Sequence, residues 1–113
     1  MHELGIVFEI IKIVDRFVAE NDLSQVEKIV LEVGQLSSAV PKFLESCFPA
    51  AVNDTPYAHT KLEIIIVPAM AACNSCHEQF NLVEHRRVCP NCHSDQSTLL
   101  TGREFSIKEI VAC

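Results

Sequence analysis

Four cysteines carry the clearest chemistry in this 113-residue sequence. Cys73-Asn74-Ser75-Cys76 and Cys89-Pro90-Asn91-Cys92 are two CxxC pairs separated by twelve residues, 77 to 88. Two thiolates three positions apart on a tight turn can point at one ion. Two such turns facing each other supply four sulfurs tetrahedrally, which is the signature of a zinc site. Four thiolates close the shell, so the site reads as structural; a catalytic zinc keeps one position open. The gap between the pairs is a little shorter than the commonest spacing, but it can hold a short hairpin through Phe80 to Val88. Apart from Phe80, Leu82 and Val83 the segment has few large apolar groups. About thirty residues of this kind cannot build a core alone, and a metal staple is physically needed.

Other uses of these cysteines fit less well. A thioredoxin-like dithiol normally offers one CxxC beside a βαβ unit, not two facing pairs. Each pair is followed by a histidine, His77 or His93, which is the sequence form of c-type haem attachment. That chemistry needs export, and no export signal is visible. His77 and His93 read as solvated loop residues, with outer-shell or replacement ligation as the alternative. Cys47, on the face of an expected helix, reads as a small buried hydrophobe. Cys113 is the last residue and has no assigned role.

The opposite end of the chain carries a second arrangement, Met1-His2-Glu3. A terminal amine, deprotonated backbone amides and a nearby imidazole can surround a d⁸ Ni(II) ion in a square plane, the geometry nitrogen donors favour for nickel. Alone, this tripeptide is a weak signal.

These groups need elements to position them. Leu4, Val7, Ile11, Val14 and Val18 recur at spacings of three and four, which predicts an amphipathic helix over residues 3 to about 20, with Asn21-Asp22 as its exit. Val26 to Val33 alternates, with Ile29, Leu31 and Val33 on one face, and reads as a half-buried strand ended by Gly34. Pro41 suits the first turn of a second helix with Ser37 or Ser38 near its start, and Pro49 is expected to end or kink it. Asn53-Asp54-Thr55-Pro56 is a turn. Leu62 to Val67 is apolar on both faces, which predicts a central or well-covered strand. The strand pattern stops at Val67 and returns from Arg103 to Val111. The expected fold is α+β, two helices packed on a three-stranded sheet, with an inserted four-cysteine zinc-ribbon subdomain. Residues 1–68 and 100–113 form the main domain in this reading, and residues 69–99 the insert.

Composition narrows the function. Hydrophobic residues make up 49% of the chain, enough to exclude a disordered polymer. No apolar run approaches the roughly 20 residues needed to span a bilayer. The N-terminal stretch places Glu3, Glu9, Lys12 and Asp15 among its apolar residues, unlike a signal peptide, so the expected location is the cytoplasm. In that reducing compartment six cysteines favour metal ligation over disulfides. Net charge is −6, and Arg86-Arg87 is the one basic cluster, which argues against nucleic-acid binding. On composition alone, function stays open between an interaction module, a nucleic-acid ribbon and a metal carrier.

Taken together, the pieces resemble the HypA/HybF family of hydrogenase nickel-incorporation proteins along essentially the whole chain. The matching segments are Met1-His2-Glu3, Val33-Gly34-Gln35-Leu36-Ser37, Val40-Pro41, Thr55-Pro56 before Leu62-Glu63-Ile64, both CxxC pairs, and Arg103-Glu104. The resemblance implies a two-helix, three-strand nickel domain with an inserted zinc domain. It implies that His2 is the key nickel ligand, that Glu3 influences nickel handling and delivery partners, and that Cys73, Cys76, Cys89 and Cys92 bind structural zinc. It further implies Ni(II) as cargo, a HypB-type GTPase partner, and a [NiFe] hydrogenase large subunit as recipient. Urease maturation proteins are a further recipient class, and a homodimer is compatible with the resemblance. Met1 would add its amine, with the amides of His2 and Glu3 completing the nickel plane. No catalysis is expected, because neither a nucleophile–base constellation nor a phosphate-binding loop is visible. Pro49 and the Ser46-Cys47 segment depart from the family pattern and bear on the second helix. The competing expectation is a zinc-ribbon interaction or nucleic-acid-binding module. A third is a CxxC oxidoreductase.

Overall fold

The computed structural model describes residues 2–113; Met1, and the side chain of His2, lie outside what it describes. Among the described residues the chain forms two helices and two three-stranded sheets. In chain order these are α1 (His2–Glu20), β1 (Val26–Gly34), α2 (Pro41–Val52), β2 (Lys61–Val67), β3 (Met70–Cys73), β4 (Gln79–Asn81), β5 (Ser97–Leu99) and β6 (Phe105–Ala112). The expected α+β class and two-helix, three-strand plan are therefore observed. The chain divides into two compact units: Met1–Glu32, Ser38–Ile65 and Ser106–Cys113 form one, and Val33–Ser37 with Ile66–Phe105 form the other.

In the first unit, α1 buries Glu3, Val7, Ile10 and Val14, spaced by four, three and four residues along one helical stripe. Ile10 rather than Ile11 lies in its centre, while Phe8, Ile13 and Phe17 are exposed. The helix ends as expected. The Asn21 side-chain amide and backbone N–H both donate to the Phe17 carbonyl, Asp22 turns left-handed at φ 51°, and the Leu23 N–H returns to the Val18 carbonyl.

The sheet order β2-β1-β6 places β1 in the middle and β2 at an edge. This corrects the expectation that the apolar run of β2 makes it central: Ile65 and Ile66 are 37% and 50% exposed. The central strand is instead β1, in which Ile29, Val30 and Leu31 are consecutive buried residues. An apolar run marks a strand but does not rank it within the sheet.

Helix α2 also departs from expectation, since it continues through Pro49 to Val52. Leu44, Cys47 and Phe48 are buried before the proline and Ala51 and Val52 after it, so one apolar face spans the interruption. Pro49 and Glu45 lie on the exposed side. The Glu45 carbonyl, which loses its N–H partner to the proline, thus opens to water. The turn after the helix is fixed by Thr55, whose hydroxyl donates to the Val52 carbonyl at 2.6 Å and accepts from the Tyr57 N–H at 3.1 Å. The buried Tyr57 hydroxyl donates to the Asp15 carboxylate on α1.

The second unit contains the sheet β4-β3-β5, antiparallel at both pairings. Met70, Ala71 and Ala72 pair with Asn81, Phe80 and Gln79; Ala71, Ala72 and Cys73 pair with Leu99, Thr98 and Ser97. The hairpin is thus β3–β4, bracketing the first CxxC pair, and not Phe80 to Val88: Phe80 lies in β4, and residues 82–87 form successive turns. The core of this unit is Ala69, Ala71, Cys73, Phe80, Leu82 and Cys89, with Leu36, Cys76 and Leu99 packed against it.

The Val33–Ser37 strip joins this unit through backbone proximity. Gly34 N–H donates to the Glu104 carbonyl at 2.6 Å, Gln35 N–H to Val67 at 2.8 Å, and Leu36 N–H to Gly102 at 2.7 Å. The Gln35 side-chain oxygen accepts from the Ala69 N–H and from the Asn81 side-chain amide. A Cβ on Gly34 would lie 2.1 Å from the Gly102 carbonyl oxygen, a backbone atom with nowhere to go. Gly102 itself has φ 119° and would place a Cβ 2.6 Å from the Ala69 Cα. Both positions need glycine.

Gly34→Ala is expected to destabilise the protein by about 2 kcal/mol or more, measured by urea unfolding, because backbone must move to admit one methyl. Tyr57 provides a second check. Burial, then the hydrogen bond and negative charge of Asp15, raise its phenol to about 12. The folded value lies above the unfolded one, so this contribution is present below pH 10 and is lost as pH rises through about 12. Tyr57 is the single tyrosine and the chain has no tryptophan, so its phenolate absorbance is readable directly. The midpoint should stand near 12 in the folded protein and fall toward 10 in Asp15→Asn.

Candidate metal centre

The four CxxC cysteines converge. The sulfurs of Cys73, Cys76, Cys89 and Cys92 all lie within 4.8 Å of one another, with Cys73–Cys92 at 3.5 Å and Cys76–Cys89 at 3.6 Å. A zinc ion about 2.3 Å from each of four sulfurs sets them about 3.8 Å apart, so the constellation fits a tetrahedral four-sulfur metal site. Among the described residues none of these four cysteines is in a disulfide.

Two copies of one backbone turn make this geometry. In the first, the Cys73 N–H donates to the Glu78 carbonyl at 2.8 Å, and the His77 N–H returns to the Cys73 carbonyl at 2.9 Å. In the second, the Cys89 N–H donates to the Ser94 carbonyl at 2.9 Å, and the His93 N–H returns to the Cys89 carbonyl at 2.9 Å. His77 and His93 occupy the same left-handed position, at φ 65° and 63°. That conformation reverses each turn just after its second sulfur. Both histidines are exposed, and both lie outside the described sulfur cluster. β3 delivers Cys73 at its end, and the turn into β4 brings Cys76 back beside it.

The electrostatics of the cluster are those of sulfurs competing for protons. The Cys76 N–H, with the Ser75 N–H and the Cys92 thiol, lowers Cys73 to about 6 against the opposing effect of burial. Cys76 is lowered by the Asn91 side chain first and by the Glu78 N–H next. The Ser94 N–H pulls Cys92 downward too. Its hydrogen bond with Cys73, burial, and the Cys76 and Cys89 sulfurs outweigh that pull and raise it to about 12. Cys73 and Cys76 are thus pulled toward the thiolate, while their charge favours a proton on Cys92. A cation at the centre reverses that last effect, and its binding releases the proton. Asn91, which assists Cys76, had no signal in the sequence beyond lying between two cysteines.

The N-terminal tripeptide is placed less fully. His2 begins α1, and Glu3 is 6% exposed, with its carboxylate accepting from the Val40 N–H at 3.4 Å. Val40 is the N-cap residue of α2 and supplies no side-chain cap of its own. The sequence left the cap of α2 unassigned, and Glu3 supplies an acceptor there from α1. It puts a negative charge at the positive end of α2. The signal was legible in retrospect: Glu3 stands four residues before Val7 on the buried stripe.

A small α+β fold with four sulfurs set for one ion places the chain in the class of metal-binding proteins. The family described as hydrogenase/urease nickel incorporation, metallochaperone, hypA, matches residues 1–112, and this chain belongs to it. Its relatives include the hydrogenase maturation factor HypA of Francisella philomiragia, 35% identical over 111 residues and covering 98% of each chain. The corresponding protein of Trichormus variabilis is 36% identical over 110 residues, covering 97% of this chain and 94% of its own. The fold is shared with the solution structure of the Ni metallochaperone HypA from Helicobacter pylori. That chain is 20% identical, with a TM-score of 0.64 and coverage of 97% of this chain and 96% of its own. A second HypA solution structure, 22% identical, gives a TM-score of 0.68 over 100% of this chain and 97% of its own. No helix among the described residues is long and apolar enough to cross a membrane.

Replacing Glu3 tests its capping role. Glu3→Gln keeps the acceptor oxygen and removes the charge, and should lower stability by about 1 kcal/mol in urea unfolding. Glu3→Ala should cost more, because the Val40 N–H then loses its acceptor.

Proposed function

We propose that this protein carries one Ni(II) ion and hands it over during maturation of a [NiFe] hydrogenase, while Cys73, Cys76, Cys89 and Cys92 hold zinc as a structural staple. The observation that carries this reading is membership of the nickel-incorporation family across residues 1–112. The zinc assignment is supported by an all-sulfur, closed donor set. Residues 69–99 are then the segment that zinc organises, and 1–68 with 100–113 the segment that handles nickel.

The nickel ligands in this proposal are the His2 imidazole, the Met1 amine and the amide nitrogens of His2 and Glu3. Their place supports the reading. The first four N–H groups of any helix have no intrahelical acceptor, and α1 begins at His2. Those amides are free to lose their protons to a metal without breaking the helix ladder. Nitrogen donors in a plane suit Ni(II) and leave the zinc site, built of sulfur, chemically distinct. Glu3 contributes its amide, while its carboxylate stays at the start of α2 and positions the tripeptide.

Release draws on the same chemistry. Protonation of amides and amine, or competition by a recipient's own ligands, dismantles the plane without touching a thiolate. A GTPase of the HypB type is the proposed partner in transfer, and the hydrogenase large subunit the recipient. Urease maturation proteins are a second recipient class, in keeping with the family's description. The proposed place of action is the cytoplasm, and carriage of the ion calls for no catalytic group.

Nickel titration of the untagged protein, with metal analysis, tests the reading. The expected result is one zinc resistant to exchange and one labile nickel per chain. His2→Ala should weaken nickel at least about ten-fold and abolish the absorption band of planar nickel, with zinc retained. An N-terminal tag should do likewise, since it removes the free amine. Equal nickel affinity and an unchanged spectrum in His2→Ala would falsify the ligand assignment.

A further inference from the structure

Arg86 and Arg87 form the one basic cluster of an acidic chain, and neither side chain serves the fold or the metal chemistry described above. They line a groove of about 390 Å³ in the second unit, whose other walls are Leu36, Leu82 and Val83. Val83 is 46% exposed, and the neighbouring Val88 is 38% exposed. The groove thus combines three aliphatic side chains with two exposed arginines in its lining.

The charge of this site is unspent. Among the described residues the ion pairs are Lys12–Glu9 and Lys28–Glu63, and neither arginine takes part in one. The backbone here is held in an unfavourable state. Arg86 and Arg87 are consecutive left-handed residues at φ 52° and 67°, each in a region that ordinary side chains rarely occupy. The loop is nonetheless firmly closed. The Asn81 side-chain oxygen accepts from the Val83 and Glu84 N–H groups at 3.0 Å each, and the Arg87 N–H donates to the Leu82 carbonyl at 2.8 Å. Glycine would fit both positions at less strain.

We propose that this groove is a docking site for an acidic segment of a partner polypeptide, one large apolar side chain seated on Leu36, Leu82 and Val83 and flanking carboxylates paired with Arg86 and Arg87. Charge complementarity selects this occupant. Two guanidinium groups outside any ion pair suit one or two carboxylates, and the arginine fork favours their planar geometry. A nucleic acid is disfavoured by the net charge of −6 and by the aliphatic lining, which offers no aromatic ring for a base to stack on. The aliphatic side chains add burial that a bare ion pair lacks. The site requires nothing of the nickel assignment, so the two can fail separately.

Fluorescence anisotropy with the full chain tests the proposal, using a labelled, acetylated peptide of sequence Asp-Asp-Leu-Phe-Asp-Asp. Saturable binding that weakens with added salt is expected. The double substitution Arg86→Gly with Arg87→Gly relieves the left-handed strain, so it should keep or raise the thermal midpoint while weakening the peptide about ten-fold or more. Val83→Asp should weaken it as well. Equal affinity in the double-glycine protein overturns the proposal. Binding that is absent up to about 1 mM does so too. So does equally tight binding of a peptide with serines in place of Leu-Phe, or of single-stranded DNA.

Discussion

Four sulfurs gathered within 4.8 Å cannot all shed their protons unless a cation sits among them. The second unit depends on that electrostatic condition. Its interior includes two alanines, two cysteines, one phenylalanine and one leucine, with partial help from Leu36, Cys76 and Leu99. Such a core removes too little apolar surface from water to order the turns around it. The sulfurs are therefore both ligands and core residues: Cys73 and Cys89 are as fully buried as any aliphatic side chain in the chain. The duplicated turn, with its left-handed histidine, aims backbone N–H groups at the sulfurs and so lowers the cost of their charge before any ion arrives.

The first unit is held differently, with aliphatic faces in its interior and a single acid in their midst. Burying Glu3 is tolerable because the carboxylate meets a helix N-terminus, where a free N–H and a positive helix end both favour it. Helix α1 also carries the Tyr57–Asp15 hydrogen bond. Two polar contacts of long sequence separation thus tie α1 to residues 40 and 57. Their consequence for nickel handling, in the proposed reading, is that the N-terminal tripeptide is anchored through the Glu3 carboxylate.

Much of this was legible in the residues, and the misses have physical causes. The CxxC spacing announced the sulfur cluster because ligand geometry is local to each turn. The helix α1 and the extent of the strand β1 followed from periodicity, but the alternation understated the burial of β1, where Val30 is buried beside Ile29 and Leu31. The rank of β2 in its sheet did not, since Leu62–Val67 records burial preference and not which neighbours a strand has. Pro49 misled because the rule against proline concerns a lost N–H, and the carbonyl released here faces water. The cap of α2 could not be assigned from nearby residues, because an acceptor comes from residue 3, a contact that only tertiary structure brings about. The nature of Val33–Ser37 was hidden too: the motif contributed to the family resemblance, but its role lies in a close approach of two glycine backbones that no pattern of polarity encodes.

That strip has an architectural consequence. The polypeptide passes between the two units four times, at 32/33, 37/38, 65/66 and 105/106. The metal-stapled unit is thus not a cassette. A contiguous excerpt such as residues 66–105 would leave behind Gln35, which bonds Ala69 and Asn81, and Leu36, which packs on the small core. A graft of the cysteine loop onto another scaffold would have to bring its own substitute for a strip that joins it from far upstream in the chain.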